Sequence, residues 1–265
     1  MAFLNDISLG HYYPGDSFVH RLDPRTKLIA VMIFMSSLLI SFEPVILALF
    51  VILSITTVLL SQLPVSVVFR NLRPFIWLFG LTVFIHMFWT KGEVIAQVPL
   101  IQAPITQEGL QMGLVYSLRL ALLIVFAAIL TLSTSPIELT DALERLMKPL
   151  TYFKVPTHEI VLMLTLSLRF IPTLMEEAIR LKNAQISRGA SFEGSLIQRI
   201  KNIVPLILPL FISAFRRADE LALAMDARCY AGGEGRTSYK KLVFHPKDYS
   251  TLFFSILILT ITIAV

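Results

Sequence analysis

Apolar residues in this chain gather into long runs separated by short polar breaks. Five runs, Leu28–Phe42, Val45–Leu63, Phe75–Trp89, Leu110–Leu132 and Tyr249–Val265, read as helices that span or nearly span a bilayer. A spanning helix needs about 20 mostly apolar residues, so the shorter runs must extend their flanks into the headgroup zone. Only Glu43-Pro44 separates the first two, which predicts a tight hairpin between antiparallel helices.

A different pattern occupies residues 136–248. Two long helical stretches, 157–187 and 204–228, each begin apolar and end charged. The first reads EIVLMLTLSLRFIPTLM and then EEAIRLKNAQISRG; the second reads VPLILPLFISAF and then RRADELALAMDARCYAGG. Proline breaks both apolar halves (Pro172; Pro205 and Pro209), which argues against confident spans and for helices lying across a membrane face. A shorter amphipathic helix, PIELTDALERLMKPL over 136–150, precedes them, with Pro136 in its first turn and Pro149 at its end. The expected organisation is all-α. A four-helix membrane domain occupies 1–135, a coupling domain with helices 136–150, 157–187 and 204–228 occupies 136–248, and a final transmembrane helix occupies 249–265.

Composition sharpens this picture. The 265 residues are 55% hydrophobic and only 15% charged, against about 25% charged in ordinary soluble domains. Soluble, disordered and fibrous classes are excluded. The single cysteine, Cys229, excludes a disulfide framework and a cysteine-based zinc site. The net charge of +5 would raise nucleic acid as a partner in a soluble protein, but residues 136–248 hold 16 of the 23 Lys/Arg and 12 of the 18 Asp/Glu, so the charge marks membrane sidedness instead. Arg21, Arg25, Lys27, Arg70, Arg73 and the 136–248 block fall on one side; the opposite loops carry Glu43, Lys91, Glu93 and Glu108. This asymmetry places the N-terminus and the charged block in the cytoplasm and the C-terminus outside a cell membrane. No signal peptide is expected, because the first apolar run directly follows Arg25 and Lys27.

Candidate chemistry is sparse. There is no G-x-x-x-x-G-K-[ST] loop for ATP, no H-E-x-x-H pair, and no ligand spacing among His11, His20, His86, His158 and His245. The five runs hold no interior Asp or Glu, which argues against an ion-coupled transporter powering itself. Arg119 and His86 are the ionisable groups well inside runs. Either could contact a polar group of a partner or of a substrate; otherwise Arg119 snorkels or pairs with a backbone carbonyl, and His86 reads as a satisfied bundle histidine. Ser187-Arg188-Gly189 and Ala227-Arg228-Cys229, the latter followed by Gly232-Gly233, end the two long helices in matched fashion, 40 residues apart. An arginine clear of bulky neighbours can grip a carboxylate with two parallel hydrogen bonds.

With these features in place, the chain resembles the transmembrane T component of energy-coupling factor (ECF) transporters over nearly its whole length. YYPGDSFVHRLDPRTKL (Tyr12–Leu28) is similar to the family's opening signature, and the two arginine motifs resemble its pair of Ala-Arg-Gly-like motifs, with Ser187 replacing the first alanine and Cys229 the second glycine. The resemblance implies a non-catalytic subunit linking two ABC-type ATPases, which bind ATP and Mg, to a small membrane S component that binds a vitamin or other micronutrient. It implies that Ser187, Arg188, Gly189, Ala227, Arg228 and Cys229 dock the ATPases, and that Leu143, Met147, Met163, Leu164 and Met175 belong to an S-component platform. Met-rich surfaces suit several interchangeable partners. The alternatives are a T component dedicated to cobalt, nickel or biotin, and a membrane enzyme acting on lipid through Glu176, Glu177 and His158.

Overall fold

The computed structural model describes residues 12–97, 104–190, 196–232 and 242–264; Gly233 and the terminal Val265 lie outside them. It divides into two compact units, one holding the described residues up to Ala142 together with 242–264, the other holding those from Leu143 to Gly232.

The first unit is a helical bundle: α1 (Pro24–Ile40), α2 (Pro44–Ser61), α3 (Val65–Leu72), α4 (Ile76–Trp89), α5 (Gln107–Ser133), the start of α6 (Pro136–Met147) and α9 (Pro246–Ala264). Pro24, Pro44 and Pro136 each open a helix, where a missing N–H costs nothing. The core joins Ala30, Phe34 and Leu38 of α1 to Ile46 and Phe50 of α2, Phe126 of α5 and Ile258 of α9. Phe34, Phe50 and Phe126 form a triangle with ring centroids 5.5–6.3 Å apart, tilted or edge to face. The outer faces are apolar too: Val45, Ile55 and Leu59 of α2 and Phe253 and Ile263 of α9 are all exposed. An apolar exterior around an apolar core fits a lipid solvent.

Membrane-length helices fall differently from the sequence expectation. Among the described residues, those long and apolar enough to cross are α2, the α3–α4 stretch Val65–Trp89, α5, α7 (Thr157–Ser187) and α9. At 17 residues α1 is about 25 Å long, short of the roughly 30 Å hydrocarbon core. α7 qualifies because it continues unbroken through Pro172. The third run starts ten residues earlier than its apolar pattern suggested: Arg73-Pro74-Phe75 makes a single 3-10 turn that joins α3 to α4, so Arg70 and Arg73 sit within a helical stretch rather than a loop.

An element absent from the sequence reading closes the α4–α5 connection: a two-stranded antiparallel ribbon, β1 (Val94–Gln97) with β2 (Pro104–Thr106). Beneath it α4 and α5 pack backbone to backbone at Gly109-x-x-x-Gly113. A Cβ on Gly113 would lie 2.9 Å from the Val83 Cα, and one on Gly109 would collide with the His86 carbonyl. Small residues four apart allow this close approach between membrane helices. The spacing was readable in the sequence and was missed.

The bundle is tied at one end by the opening segment. Asp23 caps α1 by accepting from the Arg25 N–H at 2.9 Å, and grips the Arg25 guanidinium with both oxygens at 3.0 and 2.9 Å. Asp248 caps α9 by accepting from the His245 N–H at 2.8 Å, and its other oxygen accepts the Asp23 N–H at 2.8 Å. Lys27 Nζ donates to the Ser133 carbonyl at 2.9 Å and the Tyr13 N–H to the Leu132 carbonyl at 2.9 Å, so both satisfy the C-terminal end of α5. Arg25 also lies 4.0 Å over the Phe244 ring.

Two substitutions test this fold. Gly109→Ala should destabilise the protein by about 1–3 kcal/mol through overpacking. Asp248→Asn, which keeps the shape but cannot accept at both oxygens, should cost about 1–3 kcal/mol by stranding a buried N–H. Thermal unfolding in detergent should show a lowered midpoint for each.

Candidate coupling site

The second unit is built on α7 (Thr157–Ser187) and α8 (Leu196–Asp226), each 31 residues and so about 46 Å long. The sequence reading started the second helix at 204; it starts at Leu196 and runs through Pro205 and Pro209. Proline can kink a helix without ending it where neighbouring groups satisfy the freed carbonyl.

α7 and α8 pack across one another. Ile171, Leu174 and Ala214 border two grooves at once, which places the crossing at these residues. On one side, Met163, Phe170, Leu221 and Met225 line a groove of about 560 Å³. On the other, Met175, Ala178, Ile207 and Phe211 line one of about 420 Å³. Arg217 of α8 donates to Glu177 of α7 at 2.9 Å, fixing the crossing electrostatically.

The two long helices end alike. In α7, the Gly189 N–H donates to the Ile186 carbonyl at 2.9 Å and the Ala190 N–H to the Gln185 carbonyl at 3.0 Å. In α8, the Cys229 N–H donates to Asp226 at 2.9 Å and the Tyr230 N–H to Met225 at 3.1 Å. The six-to-one bond and the left-handed residue at C′ define a Schellman cap; Gly189 has φ 87° and Cys229 φ 55°. Every partner is displaced by 40 positions, so the repeat seen in three letters extends to the backbone. Ser187, Arg188, Gly189, Ala227, Arg228 and Cys229 are all exposed, and neither guanidinium has a partner among the described residues.

Other candidates are placed as follows. Met163 lines the first groove and Met175 the second, while Leu164 is exposed and Leu143 and Met147 are half-buried on α6. The larger apolar feature is one that residue-by-residue reading did not single out. Ile203, Val204, Ile207, Leu208, Phe211, Ile212 and Phe215 form an exposed stripe along α8, legible as apolar pairs every four residues. Arg119 is buried in the bundle, donates to the Ser41 carbonyl at the end of α1 and lies 4.5 Å over Phe42. His86 donates from Nδ1 to the Thr82 carbonyl at 2.9 Å and its ring lies 4.7 Å from that of Tyr116. Both side chains are used within the fold.

The lipid-enzyme residues do not converge. Glu177 is paired with Arg217, His158 with Glu144 at 3.0 Å, and Glu176 is exposed. Among the described residues no three His, Cys, Asp or Glu side chains cluster in a way that could hold a metal.

Cys229 occupies a conformation that costs an L-residue with a Cβ about 1–2 kcal/mol. Cys229→Gly should therefore tighten the end of α8 by about 1 kcal/mol, read as slower amide hydrogen exchange at residues 229 and 230.

The chain is similar to known proteins over most of its length. Residues 15–239 match the family described as CbiQ, cobalt transport protein. An energy-coupling factor transporter transmembrane protein EcfT from Acidaminococcus fermentans is 45% identical over 249 residues, covering 94% of this chain and 92% of that one. The proteins of the same name from Clostridium kluyveri (44%, covering 98% and 97%) and Bacillus subtilis (45%, covering 94% of each) are similarly close. With the family match running over residues 15–239 and relatives about 45% identical over nearly the whole chain, the chain belongs to the EcfT family, the transmembrane components of energy-coupling factor transporters.

Proposed function

We propose that the α6–α8 unit is the coupling device of this transporter component, with Arg188 and Arg228 each docking one of two ABC-type ATPase subunits. The matched Schellman caps carry this reading. Two helix ends of identical backbone form, each presenting an exposed arginine without a partner among the described residues, suit two equivalent acidic sockets on a pair of like subunits. The bond network at each cap fixes the arginine backbone, so docking orders little beyond the side chain.

The exposed α8 stripe, with Met163, Leu164 and Met175, and with Leu143 and Met147 of α6, is the surface offered to a small membrane S component that binds the micronutrient. An apolar, methionine-bearing surface repacks against partners of different shape, which favours a module shared among S components. The excess of basic residues at one side of the chain's apolar runs supports a cytoplasmic position for the N-terminus and this unit, where ATP is available to the partners. No reaction is assigned to the chain itself: ATP and Mg belong to the ATPases.

Arg188→Ala with Arg228→Ala should abolish co-purification of the ATPases and stop uptake, since removing one partner of a buried charged pair costs about 2–5 kcal/mol per site. Each single variant should retain partial assembly. Pull-down and substrate uptake in cells making the complete transporter measure both; full uptake by the double variant would overturn the docking reading.

A further inference from the structure

The bundle contains a groove that the coupling reading does not use. It lies between α2 and α9, floored by α1 and α5, and encloses about 410 Å³, within the range of small-molecule and lipid sites. Ala30, Phe34, Phe126 and Ile129 on the floor are buried, whereas the lips, Ile52 and Leu60 on α2 and Phe254 on α9, are exposed. The groove is apolar along its length and polar at one end.

That end has a specific composition. Lys27, 5% exposed, borders it and uses two of its three N–H groups, donating to the carbonyls of His20 at 3.1 Å and Ser133 at 2.9 Å. Ser133, 2% exposed, also borders it, and its hydroxyl has no hydrogen-bond partner among the described residues. A buried hydroxyl without a partner is costly, and the described residues supply none. Phe18 forms part of the same end, and the exposed Lys247 ammonium lies 5.8 Å from its ring. Glu138, Asp23 and Asp248 lie near Lys27, but Asp23 is engaged by Arg25 and Asp248 by two backbone N–H groups. Free hydrogen-bond donors and an outer cation therefore stand at the mouth of an apolar slot.

We propose that this groove is a binding site for a membrane phospholipid. One acyl chain lies between α2 and α9, an ester carbonyl accepts from the Lys27–Ser133 end, and the phosphate is drawn to Lys247. The lipid belongs to the leaflet on the basic side of the bundle. The site is independent of the arginine-tipped helix ends, and its test does not involve the ATPases.

The test is native mass spectrometry of the full chain in mild detergent, titrated with phosphatidylglycerol. The wild-type protein should retain one lipid through mild activation. Thr57→Phe, which fills the slot from an α2 position outside the buried core, should remove that retention while thermal unfolding shows the bundle intact. Lys247→Gln should weaken retention about fivefold, the effect of one cation at a lipid surface. Inorganic phosphate should not compete, because the acyl chain supplies most of the contact. Equal lipid retention by wild type and Thr57→Phe would reduce the lipid to a non-specific annulus and overturn the proposal. Competition by inorganic phosphate would overturn it in favour of a free-anion site.

Discussion

The membrane unit depends on how helix ends are satisfied where water is scarce. A helix leaves four N–H groups at its start and four carbonyls at its end without partners, and in an apolar medium each becomes expensive. Here the solution is shared between helices. Asp23 and Asp248 cap two N-termini side by side, and one of them also accepts the other's backbone N–H. Lys27 and Tyr13 serve the carbonyl end of α5, and Arg119 serves the end of α1. Acidic groups stand at positive helix ends and cations at negative ones, as the macrodipole favours. Charged residues in the opening segment thus act as internal connectors, and helices distant in sequence become mutually dependent.

The same logic explains the opening signature. Tyr12–Leu28 contains too many polar residues for a membrane protein's first helix, yet Tyr13, Ser17, His20, Asp23, Arg25 and Lys27 all have partners in the tie. Ser17 and the Tyr13 carbonyl hold the His20 ring at 2.7 and 3.0 Å, and Asp23, Arg25 and Lys27 each reach another element or another turn. Polar density at such a place marks a joint.

Much of this was legible in the sequence, for identifiable reasons. Apolar runs report helices because in lipid only an internally bonded backbone is tolerated, and the all-α class followed. The pairing of Ser187-Arg188-Gly189 with Ala227-Arg228-Cys229 was legible as spelling, though the shared cap geometry was not: nothing in the letters says that a cysteine takes the left-handed conformation that glycine takes at the other site. The start of α8 and the union of α3 with α4 were obscured by prolines, whose local preference is overridden when a helix is supported by its surroundings. The short β-ribbon was invisible, because three or four residues carry too little pattern to distinguish a strand from a loop. The role of Arg119 stayed open between a partner or substrate contact, snorkelling and a backbone carbonyl, and only the position of the Ser41 carbonyl chose among them.

The place where α7 and α8 cross has a mechanical consequence. Ile171 and Leu174 lie close to the middle of α7, about 20–25 Å from either end, and Ala214 divides α8 into arms of about 18 Å toward its arginine-bearing end and 27 Å toward its start. Two rods pinned there form shears with nearly equal arms on α7 and unequal arms on α8. A displacement of the Arg188 end is returned at about the same size in the reverse sense, and one of the Arg228 end at about one and a half times its size. Such a device inverts direction on both rods and lengthens the stroke only along α8, with Pro172 and the Glu177–Arg217 pair set beside the pin.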